Sequence, residues 1–173
     1  LEAQDSLPDE SVAMTPMLAT LNRVAASLGQ HRHHLVLPDE SGFDLWGSNK
    51  ELHSAFSNLV SNAVRYTPVG GTLTLRFARE GDGAVLSVRD TGYGIPQAHL
   101  PRITERFYRV STSRSRESGG TGLGLSIVKH ILNPHQARLD IESEVGQGST
   151  FCVHFGPERV EPRLDASLPV LTD

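Results

Sequence analysis

A single cysteine, Cys152, stands among 173 residues, which excludes an internal disulfide framework. Its alternation with Phe151 and Val153 places it on a strand. With no Cys-His constellation beside it, it reads as a small packed side chain rather than a nucleophile. Such cysteine usage fits a reducing, cytoplasmic setting. No apolar run approaches the roughly 18 residues that cross a bilayer, and no signal peptide opens the chain. The segment is therefore expected to be soluble, without direct membrane contact. Charge of one sign is also lacking: a net charge of −4 gives no electrostatic reason to expect nucleic acid as a partner. Internal repeats are absent. What remains is 38% hydrophobic and 21% charged, ordinary for one globular domain with a sizeable core.

The stretch to about Pro16 is polar and reads as a linker. From Met17, residues Leu18, Leu21, Ala25 and Leu28 recur at helical spacing until Gly29. Short strands are predicted at 35–37 and 43–46. Asn49 is a suitable N-cap for a strong helix whose Leu52, Ala55, Phe56, Leu59, Val60, Ala63 and Val64 share one face. The Thr67-Pro68-Val69-Gly70-Gly71 run ends it. Strands at 72–79 and 84–90 are joined by Glu80-Gly81-Asp82-Gly83. A short helical region follows, ending near Phe107. The segment 111–120, rich in serine, arginine and glycine, has little to bury and is expected to be mobile. A second helix over 122–132 turns Leu123, Ile127, Val128 and Ile131 inward, and Pro134 ends it. A hairpin joins 139–143 to 150–155, and the chain from Pro157 on is expected to be disordered. The mixture of helices and late hairpins predicts an α+β sandwich rather than a parallel α/β sheet.

Three clusters carry chemistry. Asn58 and Asn62 stand four apart on the Asn49 helix, on one line beside its apolar stripe, with Arg65 and Tyr66 one turn later. Asparagines on an exposed helix face usually do nothing, but this set suits a metal-phosphate site with a stacking surface. Asp90 closes a strand and precedes Gly92 and Gly94. A carboxylate there accepts from an exocyclic amine while the glycines admit a flat ring to the backbone. The rival reading of Asp90-Thr91-Gly92 as an aspartic protease motif needs a second carboxylate sharing a proton, and Arg89 suits such a dyad poorly. Third, Gly119-Gly120-Thr121-Gly122-Leu123-Gly124-Leu125 runs into a helix, where free N–H groups favour phosphate. It fits neither the Walker pattern nor the dinucleotide fingerprint, since Ile127 stands where the latter needs glycine or alanine.

Taken in order, these clusters resemble the GHKL family (gyrase, Hsp90, histidine kinase, MutL), and most closely the bacterial sensor histidine kinases. Residues 57–68 resemble the N box, 90–96 the G1 box, 104–109 the F box, 120–125 the G2 box and 146–151 the G3 region. The likeness covers about Leu35 to Pro157. The wording of 103–109 and of 130–143 is similar to the phosphate-regulon sensor kinases. The resemblance implies a two-layer α/β sandwich of the Bergerat ATP-binding type, with a mixed sheet and helices on one face. It also divides the chain into residues 1–34, a linker and remnant of the connection to a dimerisation domain, 35–157, the ATP-binding domain, and 158–173, a disordered tail.

By the same resemblance, Asn62 coordinates Mg²⁺ on the ATP phosphates with Asn58 in support. Arg65 meets phosphate where the family usually has lysine. Tyr66 packs on adenine, Asp90 binds its amino group, and Gly92, Gly94 and Ile95 shape the pocket. Thr121, Gly122, Leu123, Gly124 and Leu125 hold the phosphates, Arg109 neutralises the γ-phosphate, and Ser149 lies near adenine. The implied activity is transfer of the γ-phosphate to a histidine on a dimerisation domain, for relay to a response regulator, in a cytoplasmic domain of a membrane-anchored sensor. An anti-sigma-factor serine kinase or hydrolysing ATPase is the alternative, although Asn58 cannot serve as the general base that hydrolysing members have there. The sequence departs from the family at His135-Gln136-Ala137, where many members have His-Gly-Gly. The family's phosphoacceptor motif matches none of the eight histidines. His31, His33 and His34 read as a solvated loop rather than a metal site. His53, His99, His130, His135 and His154 are expected at the surface or boundary.

Overall fold

The computed structural model of the chain describes residues 8–28, 33–105 and 124–163. Within these, five strands form a mixed sheet: β2 (His33–Val36), β4 (Thr72–Glu80), β5 (Gly83–Asp90), β7 (Gly148–Phe155) and β6 (Arg138–Glu144), in that spatial order. Only β2 runs parallel to its neighbour; the other pairings are antiparallel. Alternation sets the faces. Leu73, Leu75 and Phe77 of β4, Ala84, Leu86 and Val88 of β5, and Phe151, Val153 and Phe155 of β7 are all buried, as a half-buried antiparallel sheet requires. They meet α1 (Met14–Leu28), α2 (Asn49–Arg65) and α3 (Gly124–Leu132). The predicted two-layer sandwich is the fold observed.

The helix α2 forms as its sequence dictates, with all seven predicted apolar residues buried. Its N-cap is Ser48 rather than Asn49: Ser48 has extended backbone angles and its Oγ accepts from Glu51 N at 3.2 Å. Asn49 is the first helical residue and lies exposed. In α3 the inward stripe is Leu125, Val128 and Leu132. Ile127, predicted inward, is 40% exposed, because a nine-residue helix with apolar side chains at most positions leaves its phase open to tertiary choice. The predicted Leu123 lies outside the described residues.

Both supposed tails contribute structure. Glu10–Val12 forms β1 and Val160–Pro162 forms β8, which flank β3 (Phe43–Gly47) in a separate antiparallel sheet. Val12, Met14 and Met17 are at most 5% exposed within the common core. Thus the polar stretch before Pro16 is not wholly linker, and the chain through Arg163 is ordered rather than frayed. Arg163 itself pairs with Asp39 and Asp44, both at 2.9 Å. Among the described residues no helix is long and apolar enough to cross a membrane.

Candidate active site

The site is built where the C-terminal ends of α2 and β5 meet the β6–β7 turn. Asp90 is the last residue of β5, on the inward face, and is 4% exposed. Its Oδ1 accepts the N–H groups of Gly92 at 2.9 Å and Ser149 at 3.2 Å. Its Oδ2 takes no hydrogen bond among the described residues. Burial pushes the carboxyl pKa up to about 6, against the opposing effect of the two backbone donors. The carboxyl group is therefore fixed by one oxygen and offers the other.

Gly92 and Gly94 are there for close approach. A Cβ on Gly92 would lie 2.1 Å from the Tyr66 carbonyl, and one on Gly94 would lie 2.2 Å from the Glu144 carbonyl. Gly94 also has φ +79°. These contacts strap the 90–96 segment to its neighbours. Tyr93 N donates to Tyr66 O at 3.2 Å, Gly146 N to Tyr93 O at 2.9 Å, and Ile95 N to Ser143 Oγ at 2.7 Å. Thr91 faces away from the site, continuing the ladder to Thr72 through its N–H and Oγ1.

The half-buried Tyr66 caps α2, its N–H bonded to the Asn62 carbonyl at 3.2 Å, while Thr67 N donates to the Val64 carbonyl at 3.2 Å. Asn62 and Arg65 lie on the preceding turn. Asn58 donates its amide N–H to the Ser54 carbonyl at 2.8 Å, so its Oδ1 is left for another partner. The Asn62 amide has no partner among the described residues. Ser149 sits opposite Asp90 in register, with Oγ 2.7 Å from Ser143 Oγ. Of the predicted site, the structure brings together Tyr66, Asp90, Gly92, Gly94, Ile95 and Ser149, with Asn62 and Arg65 a turn back on α2. Gly124 and Leu125 open α3, which packs along α2. Arg109, Thr121, Gly122 and Leu123 lie outside the described residues, as do the F-box end and the 111–120 segment.

Two contributors were not anticipated. Ser143 holds Ile95 and also donates to Gly148 O at 3.1 Å. Its signal was a serine on the inward phase of β6, after Leu139 and Ile141. His135, expected at the surface or boundary, is 3% exposed and bridges α2 and α3. His154 is also largely covered, between Glu80 at 2.7 Å and Asp140 at 3.0 Å. Cys152 is half-buried; burial, then the charges of Glu142, Asp140 and Glu80, push its thiol pKa up, the opposite of an activated nucleophile. Among the described residues no group of three or more histidine, cysteine or carboxylate side chains could hold a metal ion. An ion here would rest on amide oxygens and on its ligand's phosphates, a donor set that suits Mg²⁺.

The profile of the family described as "Histidine kinase-, DNA gyrase B-, and HSP90-like ATPase" matches residues 47–159. The phosphate regulon sensor protein PhoR of Pseudomonas aeruginosa is 51% identical over 162 residues, which cover 92% of this chain and 37% of that protein. PhoR of Haemophilus influenzae is 37% identical, over 80% of this chain and 32% of its own length. The chain thus spans about a third of the length of these relatives. Among solved structures, the mycobacterial sensor histidine kinase MprB superposes with a TM-score of 0.76 at 26% identity, covering 88% of this chain and 99% of that one. Full-length ShkA in complex with AMPPNP shares the fold, with a TM-score of 0.74 at 22% identity over 87% of this chain and 31% of that one. The chain belongs to the histidine kinase-, DNA gyrase B- and HSP90-like ATPases.

Proposed function

We propose that this chain is the ATP-binding catalytic domain of a sensor histidine kinase of the phosphate-regulon type. It would present Mg²⁺·ATP so that the γ-phosphate passes to a histidine on a dimerisation domain, and from there to a response regulator. The observation that carries this reading is the convergence of Asp90, the 92–95 backbone, Tyr66 and Ser149 at the end of the helix bearing Asn62. In it, Asp90 Oδ2 accepts from the adenine amino group, Tyr66 packs on the ring, and Gly92, Gly94 and Ile95 line it beside Ser149. Asn62 Oδ1 would ligate Mg²⁺, with Asn58 Oδ1 behind it, and Arg65 would meet phosphate. The N–H groups from Thr121 to Leu125 would hold the phosphates, and Arg109 would neutralise the γ-phosphate. When bound, Mg²⁺ neutralises charge between the phosphates; phosphoryl transfer otherwise needs positioning more than covalent help. The setting would be the cytoplasmic side of a membrane-anchored sensor.

The test mixes the chain with Mg²⁺, γ-labelled ATP and a separately prepared dimerisation domain. Label should appear on that domain's histidine, and Asn62→Ala should lower the rate on the order of 10²-fold. Equal labelling by Asn62→Ala would remove the metal role. Brisk ATP hydrolysis by the chain alone would favour the hydrolysing alternative, for which Asn58 supplies no general base.

A further inference from the structure

We infer that His135 is a positioning residue that sets the phosphate helix α3 against the asparagine helix α2. This rests on the nucleotide reading above and assigns a role to a residue outside the pocket. The imidazole sits in the turn after α3 and is 3% exposed. Its Nδ1–H donates to the Ile131 carbonyl of α3 at 2.9 Å, and its Nε2 accepts from Ser48 N, the cap of α2, at 3.0 Å. One neutral ring therefore joins the C-terminal end of α3 to the N-terminal end of α2. The space for it is made by Gly47, where a Cβ would lie 2.5 Å from His135 Cδ2 and 2.8 Å from Nε2. The turn itself is held by Arg159, which donates to the Pro134 carbonyl at 3.2 Å and to Gln136 Oε1 at 3.4 Å.

The two ends of the pocket depend on this junction differently. The far end of α2 is tied to the 90–96 segment after β5 through Tyr66 O and Tyr93 N, so the adenine side keeps its own anchor. The start of α3 packs along α2, so its position follows the angle between the two helices. The nine residues of α3 span about 13 Å, so a pivot of about 4° at its C-terminal end shifts Gly124 by about 1 Å. Displacements of that size are costly where charged groups must be held in register.

The experiment titrates the full chain with adenosine, ADP and AMPPNP in the presence of Mg²⁺, at a temperature where circular dichroism shows every variant folded. His135→Leu should weaken ADP and AMPPNP on the order of tenfold while adenosine changes less than about twofold. His135→Gln, whose amide both donates and accepts, should recover most of the loss. Gly47→Ala, which crowds the ring but leaves the imidazole in place, should reproduce the leucine pattern and carries the test if His135→Leu does not fold. Equal weakening of all three ligands, or unchanged phosphate-dependent affinity in both His135→Leu and Gly47→Ala, overturns the role. If the unmutated chain binds none of the three, the nucleotide reading itself fails, and this inference with it.

Discussion

At the N-terminal end of α2, the N–H groups of Ser48, Asn49 and Glu51 go to His135 Nε2, Glu10 Oε2 and Ser48 Oγ. At its C-terminal end, Asp90 Oδ2 and the Asn62 amide take no partner among the described residues. The same helix thus begins in a hydrogen-bonded scaffold and ends in a site with polar groups to offer. In the proposed reading, it is this open end that a nucleotide completes. The scaffold end supplies stiffness; the open end supplies chemistry.

The sharpest way to break the open end is through its backbone. Gly94→Ala places a Cβ 2.2 Å from the Glu144 carbonyl at φ +79°, so both the left-handed strain and a clash with rigid backbone apply. A loss of at least about 3 kcal/mol in chemical denaturation is expected, or detachment of the 90–96 segment with loss of nucleotide binding. Gly146→Ala is the control. It has φ +84° but nothing within 4 Å, so only the conformational penalty of about 1 kcal/mol remains. Similar losses at both positions would show that the 90–96 segment is not pinned to the β6–β7 turn.

Asp90→Asn probes the offered oxygen with almost no change of shape. Two backbone donors hold Oδ1, so in the variant they keep the amide oxygen there and turn its NH₂ toward the ligand. A donor then faces the adenine amino group. Adenosine affinity should fall roughly 10- to 100-fold, while guanosine, with a carbonyl at that position, should gain relative to it. The unmutated carboxyl adds a pH signature. Its pKa lies raised from 3.8 to about 6, so the folded state binds the extra proton between these values. Relative to Asp90→Asn, the unmutated chain should therefore lose stability as pH rises from about 4 to 6, with the full penalty present above 6, on the order of 3 kcal/mol. Adenosine binding should run the other way, weakening as pH falls through about 6 and the acceptor is protonated. Calorimetric titrations between pH 5 and 8 check this; a pH-independent affinity in the unmutated chain would sink the assignment.

The sequence made the open end far more legible than the scaffold end. Asn62, Asp90 and the glycines announced themselves because ligand chemistry demands particular residue types at fixed local spacing. The apolar stripe of α2 was equally plain, since seven residues repeat its period. By contrast, β1 and β8 have three residues each, too few for alternation to register, and they meet only by pairing with β3 from opposite ends of the chain. Pro157 and Pro162 read as signs of a tail, whereas the first starts a 3₁₀ turn and the second sits on an edge strand, where proline is tolerated. The burial of His135 depends on the missing side chain of Gly47, more than eighty residues away. No local pattern encodes that fit.

The smallest effect tests where the scaffold end begins. Read by residue type, Asn49 and Ser48 are both good caps, and only geometry separates them. Ser48 is 2% exposed and its Oγ takes the Glu51 N–H, whereas Asn49 already lies inside the helix with its side chain in solvent. Ser48→Ala should therefore cost about 1 kcal/mol, leaving its backbone N–H bonded to His135. Asn49→Ala should change stability by less than about 0.5 kcal/mol, as at other exposed positions without a partner. Urea melts of the two variants decide between the caps. A larger loss at Asn49 would mean that α2 starts one residue later, and the ring of His135 would then be bonded to a group outside the helix rather than to its cap.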